Sequence, residues 1–369
     1  MSATARTPLA PDELAVSRGT VSQPRRGRAI PSTLEAVREL VESPLRAAVE
    51  RLSPNVRQVA AYHFGWVAAD GAPQSANGGK AVRPALAVLS ARAAGAPEVT
   101  GVPGAVAAEL VHNFSLLHDD VMDRDTERRH RPTAWTVFGS SAAILAGDAL
   151  LALAFDVLLD APGEPARAAQ RSLAAATQQL IVGQFDDLGF ENRLDVPLEE
   201  CLEMAAGKTA ALISCSCSIG AQLAAAPADV VHALGVFGYE LGLAFQLVDD
   251  LLGIWGSAQA TGKPVGADLR ARKKSLPVVA AMASGTPAGA RLRELYGSGA
   301  LHEASEQDVV EDAARLVEEA GGRAWVNDEA GRRLAAACGA LESVAPDSLD
   351  RDASASLIEV AHYVTARDH

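Results

Sequence analysis

The stretch Leu110-Val-His-Asn-Phe-Ser-Leu-Leu-His-Asp-Asp-Val-Met-Asp123 predicts a helix with one apolar face and one acidic face. At about 100° per residue, one side carries Leu110, Phe114, Leu117 and Val121, and the opposite side carries His112, Asp119 and Asp123. Two carboxylates one helical turn apart repel each other unless a cation lies between them. Mg²⁺ binds carboxylate oxygens together with substrate phosphate oxygens and waters. The stretch is therefore a candidate metal site, and the alternative is a solvated acidic helix end.

A second apolar segment, YELGLAFQLVDDLLG from Tyr239 to Gly253, repeats this pattern. The same helical wheel places Gln246, Asp249, Asp250 and Gly253 on one face, and the hydrophobic side chains lie opposite. Two such helices that face each other would enclose a cage of carboxylates. The presence of two acidic motifs favours the metal site over the solvated helix end.

The composition predicts a large all-α protein. The chain has 369 residues, of which 49% are hydrophobic and only 4% are aromatic. Alanine and leucine dominate, and the period-two alternation of β-branched residues that is typical of strands is rare. A chain of this length can bury a large core. We expect a single large helical bundle over residues 32–369, preceded by a disordered tail over residues 1–31.

The predicted tail is rich in Ala, Pro, Ser, Thr and Arg and has almost no aliphatic periodicity. It is either a dispensable extension or a docking peptide for a partner or a compartment shell. From Ser32 the letters S-T-L-E predict a capping box that opens a helix, and Pro44 predicts the end of that helix.

Net charge and cysteine pattern narrow the class of protein. A formal net charge of -13 argues against a nucleic-acid surface, because a phosphate backbone requires a basic face. The four cysteines form no C-x-x-C pair, which argues against zinc and fits buried thiols in a reducing cytoplasm. The most apolar stretch, Ser141 to Leu159, contains Asp148 and Asp156, and charges deep in a bilayer are costly. We expect a buried helix there, no membrane span and no export signal.

Local basic clusters in an acidic chain indicate a specific anionic ligand. In Asn77-Gly-Gly-Lys-Ala-Val-Arg-Pro84, two glycines free the backbone, and Lys80 and Arg83 precede a helix, which suits a diphosphate. The loop from Thr261 to Pro277 is rich in Gly and Lys and follows the second acidic motif, an arrangement suited to closing over phosphates. Taken singly, each cluster is also compatible with a solvated turn.

Together the motifs resemble the trans-isoprenyl diphosphate synthases, also called polyprenyl synthetases, from about residue 34 onward. The resemblance implies an all-α bundle with a deep central pocket, usually a homodimer. It implies that isopentenyl diphosphate is joined to an allylic diphosphate, with three Mg²⁺ ions bound beside the allylic diphosphate. The motifs are G-G-K-x-x-R-P at 78–84, D-D-x-x-D at 119–123, Arg128-Arg129, Gly183-Gln184, Lys208-Thr209, F-Q-x-x-D-D at 245–250 and Gly262-Lys263 through Lys273.

The resemblance also implies roles residue by residue. The direct Mg²⁺ ligands are expected to be Asp119, Asp123 and Asp249, supported by Asp120 and Asp250. The expected catalytic residues are these five carboxylates together with Arg128 and Lys208. The allylic diphosphate is expected to contact Arg128, Lys208, Thr209, Gln246, Lys263 and Lys273. The isopentenyl diphosphate site is implied at Lys80, Arg83, His112 and Arg129, and further polar lining at Gln184 and Asp187.

The chemistry of such an enzyme explains these residue types. Diphosphate leaves an allylic carbon readily only when metals and cations neutralise the charge that develops on it. The allylic cation that remains must be kept from water. The double bond of isopentenyl diphosphate then attacks this cation, so no Ser, Cys or His catalyst is required.

Two further expectations rest on the resemblance alone. The second acidic motif of the family usually ends in a third Asp, whereas this chain has Gly253, so weaker outer contacts to a metal are expected. A bulky residue five positions before the first Asp forms the pocket floor in relatives, and here that residue is Phe114, followed by the small Ser115. One aromatic and one small residue go with a twenty-carbon product, so we expect geranylgeranyl diphosphate. The alternatives are a farnesyl or a longer product, and a plain core role for Phe114.

Two other functions use similar motifs. A terpene cyclase also ionises an allylic diphosphate with metal-bound carboxylates, but it does not need a second cationic site such as Lys80, Arg83, His112 and Arg129. A non-catalytic partner subunit generally loses the first acidic motif, which this chain keeps whole. Both features favour chain elongation.

Overall fold

The computed structural model describes residues 30–74, 79–191, 193–257, 264–297, 307–345 and 347–366. Within these ranges the chain is almost entirely helical, and the one sheet is an antiparallel hairpin of Glu127–Arg128 with Arg131–Pro132. The prediction of an all-α bundle is therefore confirmed. The predicted tail lies almost wholly outside the described residues and stays a prediction.

The helices follow one another through mostly short connections. The first eight are α1 Ser32–Val49, α2 Pro54–His63, α3 Val82–Ala93, α4 Val102–Met122, α5 Ala134–Phe138, α6 Ser140–Leu159, α7 Gly163–Phe190 and α8 Leu198–Ala205. A π-helical turn, Ala206–Ala210, then leads into α9 Ala211–Leu223 and α10 Ala228–Trp255. The remaining helices are α11 Ala267–Arg270, α12 Leu276–Ala283, α13 Pro287–Gly297, α14 Gln307–Glu319, α15 Gly322–Glu342 and α16 Arg351–Thr365.

The centre of the bundle is formed by α3, α4, α9 and α10. Every residue of α3 from Pro84 to Ala91 is buried, and its many alanines allow neighbouring backbones to approach closely. Helix α3 packs against both α4 and α9, α9 packs against α10, and α10 packs against α15. The two helices that carry the acidic motifs are thus part of one packed core.

Helices α4 and α10 bury the faces that the sequence predicts. In α4, Leu110 and Leu117 are fully buried, whereas Asp119 is only half-buried and Asp123 is exposed. In α10 the hydrophobic side chains opposite the acidic face are buried as well. Burying one Leu side chain stabilises a fold by roughly 1.5–3 kcal/mol. A one-residue rotation of either helix would lose several such contacts, so this packing fixes where the acidic side chains point.

The beginning and end of α1 differ from the sequence prediction. No side chain caps the helix at Ser32, and the helix continues through Pro44, so the predicted capping box and break are both wrong. Pro44 removes one backbone hydrogen bond. Leu45, Ala48 and Val49 follow it and are all buried in the core. The burial of these three side chains offsets the lost bond.

Helix α6 is buried on one face only. By length and composition, α6 and α10 could both cross a membrane, a test that core helices of folded domains also pass. In α6, Ala146 and Leu150 are buried against the bundle, but Leu145 is 61% exposed. The predicted helix is present, and the prediction that it is buried is wrong for its outer face.

Candidate active site

The acidic end of α4 lies in surroundings that disfavour negative charge. Burial raises the pKa of Asp119 to about 6, although the nearby Lys208 ammonium opposes the shift. Burial also raises the pKa of Asp123, one turn further along the chain, and Lys208 again opposes the shift. Each carboxylate raises the pKa of its neighbours by like-charge repulsion. This pair would gain from a further cation.

Asp120 has a different partner from its neighbours. Its side chain is 1% exposed and accepts a hydrogen bond from Arg128 Nε at 2.7 Å. Arg128 lies in the short hairpin that follows α4, whose turn places Arg129 and His130 in the left-handed backbone region. Asp120 therefore holds the Arg128 guanidinium in place, and its supporting role toward a metal stays a prediction.

On α10, Asp250 is the buried carboxylate and Asp249 the exposed one. Asp250 accepts hydrogen bonds from Gln246 Nε2 at 2.7 Å and from the Leu276 backbone N–H at 2.8 Å. Lys273 Nζ lies 3.9 Å from the same carboxylate. Burial raises the pKa of Asp250 to about 6, and these partners counteract the shift. Asp250 thus ties the start of α12 to α10 and leaves Asp249 accessible.

Two lysines lie among the carboxylates of the candidate site. Lys208 Nζ lies 2.6 Å from Asp187 Oδ2 and also lowers the pKa of both Asp119 and Asp123. Burial disfavours charge on Lys273, yet several carboxylates, Asp187 and those on α10 among them, hold its pKa well above its usual value. Lys273 also acts on Asp123 of α4. Lys273 therefore acts on carboxylates of both acidic motifs, which places the two motifs in one site.

Lys208 and Thr209 occupy the π-helical turn between α8 and α9. Such turns are rare and frequently occur at functional sites. A Cβ atom on Gly183 of α7 would lie 2.2 Å from the Lys208 backbone nitrogen, so only glycine permits this close crossing. Gly183 therefore lets the turn sit directly on α7, where Lys208 reaches Asp187.

A chain of hydrogen bonds crosses from this turn to α10. Thr209 Oγ1 donates to Gln246 Oε1 at 2.6 Å, and Gln246 in turn donates to Asp250. Gln184 is buried and lies three residues before Asp187 on α7. Its side-chain amide has no hydrogen-bond partner among the described residues. Unpartnered buried amides are costly, which makes Gln184 available to a ligand.

A second cationic site lies in a cavity of about 240 Å³ between α3, α4, α9, α10 and α16. Burial lowers the pKa of Arg83 to about 10 and also lowers the pKa of Arg129. Burial and the nearby arginines keep His112 neutral, with a pKa well below its usual value. Lys80 completes the cationic lining. Glu109 lines the same cavity, so the three cations outnumber one carboxylate. A cluster of cations of this kind favours a multiply charged anion.

Comparison with known proteins decides the family. A sequence profile described as Polyprenyl synthetase matches residues 71–315. The chain belongs to the polyprenyl synthetase family. A (2E,6E)-farnesyl diphosphate synthase of Mycobacterium tuberculosis is 49% identical over 89% of this chain and 91% of its own length. A geranylgeranyl diphosphate synthase of the same organism is 44% identical over 91% of this chain and 93% of its own length.

Solved structures agree with this assignment. A polyprenyl synthetase from Streptomyces coelicolor A3(2) superposes with a TM-score of 0.86 at 51% identity, over 92% of this chain and 100% of that chain. The prediction of a trans-prenyltransferase with the isoprenoid synthase fold is confirmed. This polyprenyl synthetase elongates prenyl chains. It is therefore classed neither with the terpene cyclases nor with the non-catalytic partner subunits.

Most predicted site residues of this polyprenyl synthetase gather in the two sites. Lys263 and the preceding Gly262 lie outside the described residues, so their role stays a prediction. Phe114 is buried in the hydrophobic core, with 6% of its surface exposed. Its ring packs edge-to-face with the His118 ring, with 4.9 Å between the ring centroids. Ser115 Oγ donates to the His112 carbonyl at 2.8 Å. The role of Phe114 and Ser115 in product length also stays a prediction.

The carboxylates suit a divalent cation that is completed by the substrate. Within the ranges that the structure describes, no group of three His, Cys, Asp or Glu side chains could hold a metal unaided. Asp119, Asp123 and Asp249 offer hard oxygen ligands, and the burial of Asp119 makes a nearby cation favourable. Mg²⁺ typically uses only one or two carboxylates and takes its other ligands from phosphates and water. The residues present therefore fit Mg²⁺ bound together with a diphosphate.

Sequence reasoning missed Tyr363 of α16. Lys80 Nζ lies 5.4 Å from the centroid of the Tyr363 ring, within the range of a cation–π contact. The neighbouring Val364 lines the same cavity. Helix α16 also packs against α3, which carries Arg83. No local pattern relates residues so far apart in sequence, so only the fold reveals that α16 positions a cation of the second site.

Gly183→Ala is expected to destabilise the fold by roughly 1–3 kcal/mol, because the added methyl group overlaps the backbone of the π-helical turn. The measurement is urea-induced unfolding. Gly189→Ala on the same helix is the matched control, since nothing lies within 4 Å of its Cβ position. That control is expected to be neutral or to stabilise by up to about 1 kcal/mol. Equal stability of both variants would contradict the close crossing.

Tyr363→Ala is expected to raise the KM for the substrate of the second site by roughly two- to fivefold, because an exposed cation–π contact contributes about 0.5–1 kcal/mol. Tyr363→Phe keeps the aromatic face and should stay within about twofold of the wild type. The KM for the allylic diphosphate serves as the internal control. A similar rise in both KM values would indicate general damage instead of a local effect.

Proposed function

We propose that this polyprenyl synthetase condenses isopentenyl diphosphate with dimethylallyl or geranyl diphosphate, depends on Mg²⁺, and releases farnesyl diphosphate. The observation that carries the reaction is the presence of two adjoining cationic sites, of which only one contains the paired acidic motifs. An allylic diphosphate needs metal-assisted ionisation, whereas isopentenyl diphosphate needs only to be bound. The two sites match these different requirements.

Positive charge around the leaving diphosphate is supplied by this chain's own residues. Arg128, Lys208 and Lys273 lie at the acidic site and can neutralise the negative charge that grows as the carbon–oxygen bond breaks. When bound, Mg²⁺ adds Lewis-acid stabilisation of the same oxygens. Asp119, Asp123 and Asp249 would hold it, and Asp120 and Asp250 would keep the flanking cations in place.

The remaining polar groups orient the reaction. Thr209 and Gln246 are held by their mutual hydrogen bond, so their dipoles are fixed before substrate arrives. Fixed dipoles stabilise an allylic cation without the reorganisation that water would need. Apolar residues of α9 and α10, such as Ile213 and Phe245, line the adjoining cavity and limit the access of water. Lys80, Arg83 and Arg129 would hold isopentenyl diphosphate for attack.

Farnesyl diphosphate is proposed as the product because the farnesyl diphosphate synthase relative is 49% identical, against 44% for the geranylgeranyl diphosphate synthase. Geranylgeranyl diphosphate is the second candidate. It is favoured by the pairing of aromatic Phe114 with small Ser115 before the first acidic motif. A direct assay of product length distinguishes the two candidates.

Purified full-length protein given labelled isopentenyl diphosphate, Mg²⁺ and dimethylallyl or geranyl diphosphate is expected to make farnesyl diphosphate. Farnesyl diphosphate offered as primer should remain unextended. Chromatographic sizing of the products is the measurement. Extension of farnesyl diphosphate would establish the twenty-carbon product instead, and a lack of incorporation with every primer would contradict the proposed reaction.

In the same assay, Phe114→Ala is expected to lengthen the product, since the resemblance places this ring at the floor of the prenyl pocket, five residues before Asp119. Val99→Ala, at a residue 65% exposed on the surface, is the control and should leave the product unchanged. An unchanged product from Phe114→Ala would assign Phe114 to the core alone.

We propose that two copies of the chain associate through the outer faces of α6 and α7. These two helices pack on each other and expose the α6/α7 apolar face, composed of Ile144, Leu145, Ile181, Val182 and Phe185. Phe185 is 77% exposed, and Val182 is 59% exposed one turn away. Contiguous apolar faces of this kind mark protein interfaces. A second copy would cover the face isologously.

Phe185→Glu combined with Leu145→Glu is expected to convert a dimer into monomers, because two charges would be buried without partners. Sedimentation equilibrium measures the mass. Val99→Glu introduces the same charge at an exposed apolar residue away from this face and should stay dimeric. A monomeric wild type would contradict the proposal. A double variant that remained dimeric would contradict it as well.

We further propose that the protein works in the cytoplasm. Cys201, Cys215 and Cys217 are buried free thiols, which fits a reducing compartment. Docking of the amino-terminal tail to a partner or shell falls on residues 1–29, outside the described residues, and stays a prediction.

A further inference from the structure

The segment that carries Lys80 borders two cavities. One is the cavity of about 240 Å³ that forms the second cationic site. The other is a cavity of about 220 Å³, here called the α1 cavity, which Arg38 of α1 helps to line. Gly79 and Ala81, the neighbours of Lys80 in the chain, line both cavities. Because free space adjoins the segment in both cavities, packing alone does not fix its position.

Arg38 reaches this segment from α1. Its Nη2 atom donates a hydrogen bond to the Gly79 carbonyl at 3.1 Å, although the two residues are 41 positions apart in sequence. On the same helix, Leu34, Val37 and Val41 are each at most 3% exposed and belong to the hydrophobic core. Helix α1 packs against α3 and α4, which border the second site. The donor to Gly79 is therefore mounted on a helix that the core holds in place.

Gly79 also contacts a cation of the second site. A Cβ atom built on Gly79 would lie 2.8 Å from Nη2 of Arg129 and 3.4 Å from its Cζ. The Arg129 guanidinium therefore lies directly against the Gly79 backbone, and the absence of a side chain permits this approach. A displacement of Gly79 would change the position of Arg129 as well as that of Lys80.

The other end of the segment is held by the backbone of Ala81. Ala81 has φ of 51°, in the left-handed region that residues with a Cβ atom rarely occupy. Such a conformation persists only where the surrounding structure holds it. The Ala81 carbonyl accepts a hydrogen bond from the Ala85 N–H at 3.0 Å, which ties Ala81 to the first turn of α3. Lys80 thus lies between a carbonyl held by Arg38 and a turn fixed to α3.

We propose that Arg38 positions the second cationic site by holding the Gly79 carbonyl, and so keeps Lys80 and Arg129 in place for isopentenyl diphosphate. Arg38 is a positioning residue, because it acts through the backbone of Gly79. This inference rests on the proposed function of the second site in binding isopentenyl diphosphate. A change on α1 should therefore alter the binding of one substrate and spare the other.

Substitution of Arg38 tests the proposal. Arg38→Met removes the donor and is expected to raise the KM for isopentenyl diphosphate about five- to tenfold, as the loss of one positioning hydrogen bond predicts. The KM for the allylic diphosphate should stay within about twofold. Arg38→Lys keeps a cationic donor and should recover part of the loss. Arg291→Met, at a side chain 71% exposed on α13, is the matched control and should leave both KM values unchanged.

A second measurement needs neither metal nor substrate. Hydrogen–deuterium exchange, read by mass spectrometry, reports how often a backbone segment opens. Arg38→Met should speed up exchange in peptides that cover residues 79–86, which include the bonded Ala85 N–H. Exchange in α9 and α10 should be unchanged, and Arg38→Lys should exchange more slowly than Arg38→Met over residues 79–86. A melting temperature within a few degrees of wild type for each variant would exclude general unfolding as the cause.

An unchanged KM for isopentenyl diphosphate in Arg38→Met would overturn the proposal, and so would unchanged exchange over residues 79–86. Equal rises in both KM values would assign Arg38 to general stability and overturn it as well. So would an Arg38→Lys variant no better than Arg38→Met in both measurements. If the wild type made no prenyl product, the proposed function would fail, whereas the exchange measurement would still test whether Arg38 holds the Gly79 segment.

Discussion

The structure depends on balancing charge that is partly removed from water. Asp119 and Asp250 belong to helices that are far apart in sequence, and burial raises the pKa of each to about 6. In such surroundings an isolated carboxylate is unfavourable, and so is an isolated ammonium. Lys208 and Lys273 lie among carboxylates of several helices and stabilise all of them together. The π-helical turn, the close crossing at Gly183 and the connection before α12 all contribute to placing these two ammonium groups.

Much of this arrangement follows from local patterns in the sequence. The acidic faces of α4 and α10 could be predicted because their hydrophobic repeats fix which side of each helix enters the core. Contacts between distant segments could not be predicted in this way. The contact of Tyr363 with Lys80 has no periodic signal, since it depends on how separate helices pack. Pro44 misled the prediction for a related reason, because burial of the residues after it outweighs one lost hydrogen bond.

The reaction class and the product length depend on different numbers of residues. Both sites are built from many side chains spread over most of the chain, so overall similarity to relatives identifies the reaction class. Product length in such an enzyme would depend on a few side chains on the packed face of α4, such as Phe114. Identity averaged over about 330 residues barely weighs those positions. Relatives with different products can therefore be almost equally similar to this chain.

Helix α4 carries the carboxylates on one side and the packed aromatic residue on the other. These sides point in opposite directions, so a substitution at Phe114 would change packing beneath the helix and leave the carboxylates above it in place. If Phe114 limits the product as proposed, one rigid helix would keep the groups that ionise the substrate apart from the group that sets product size.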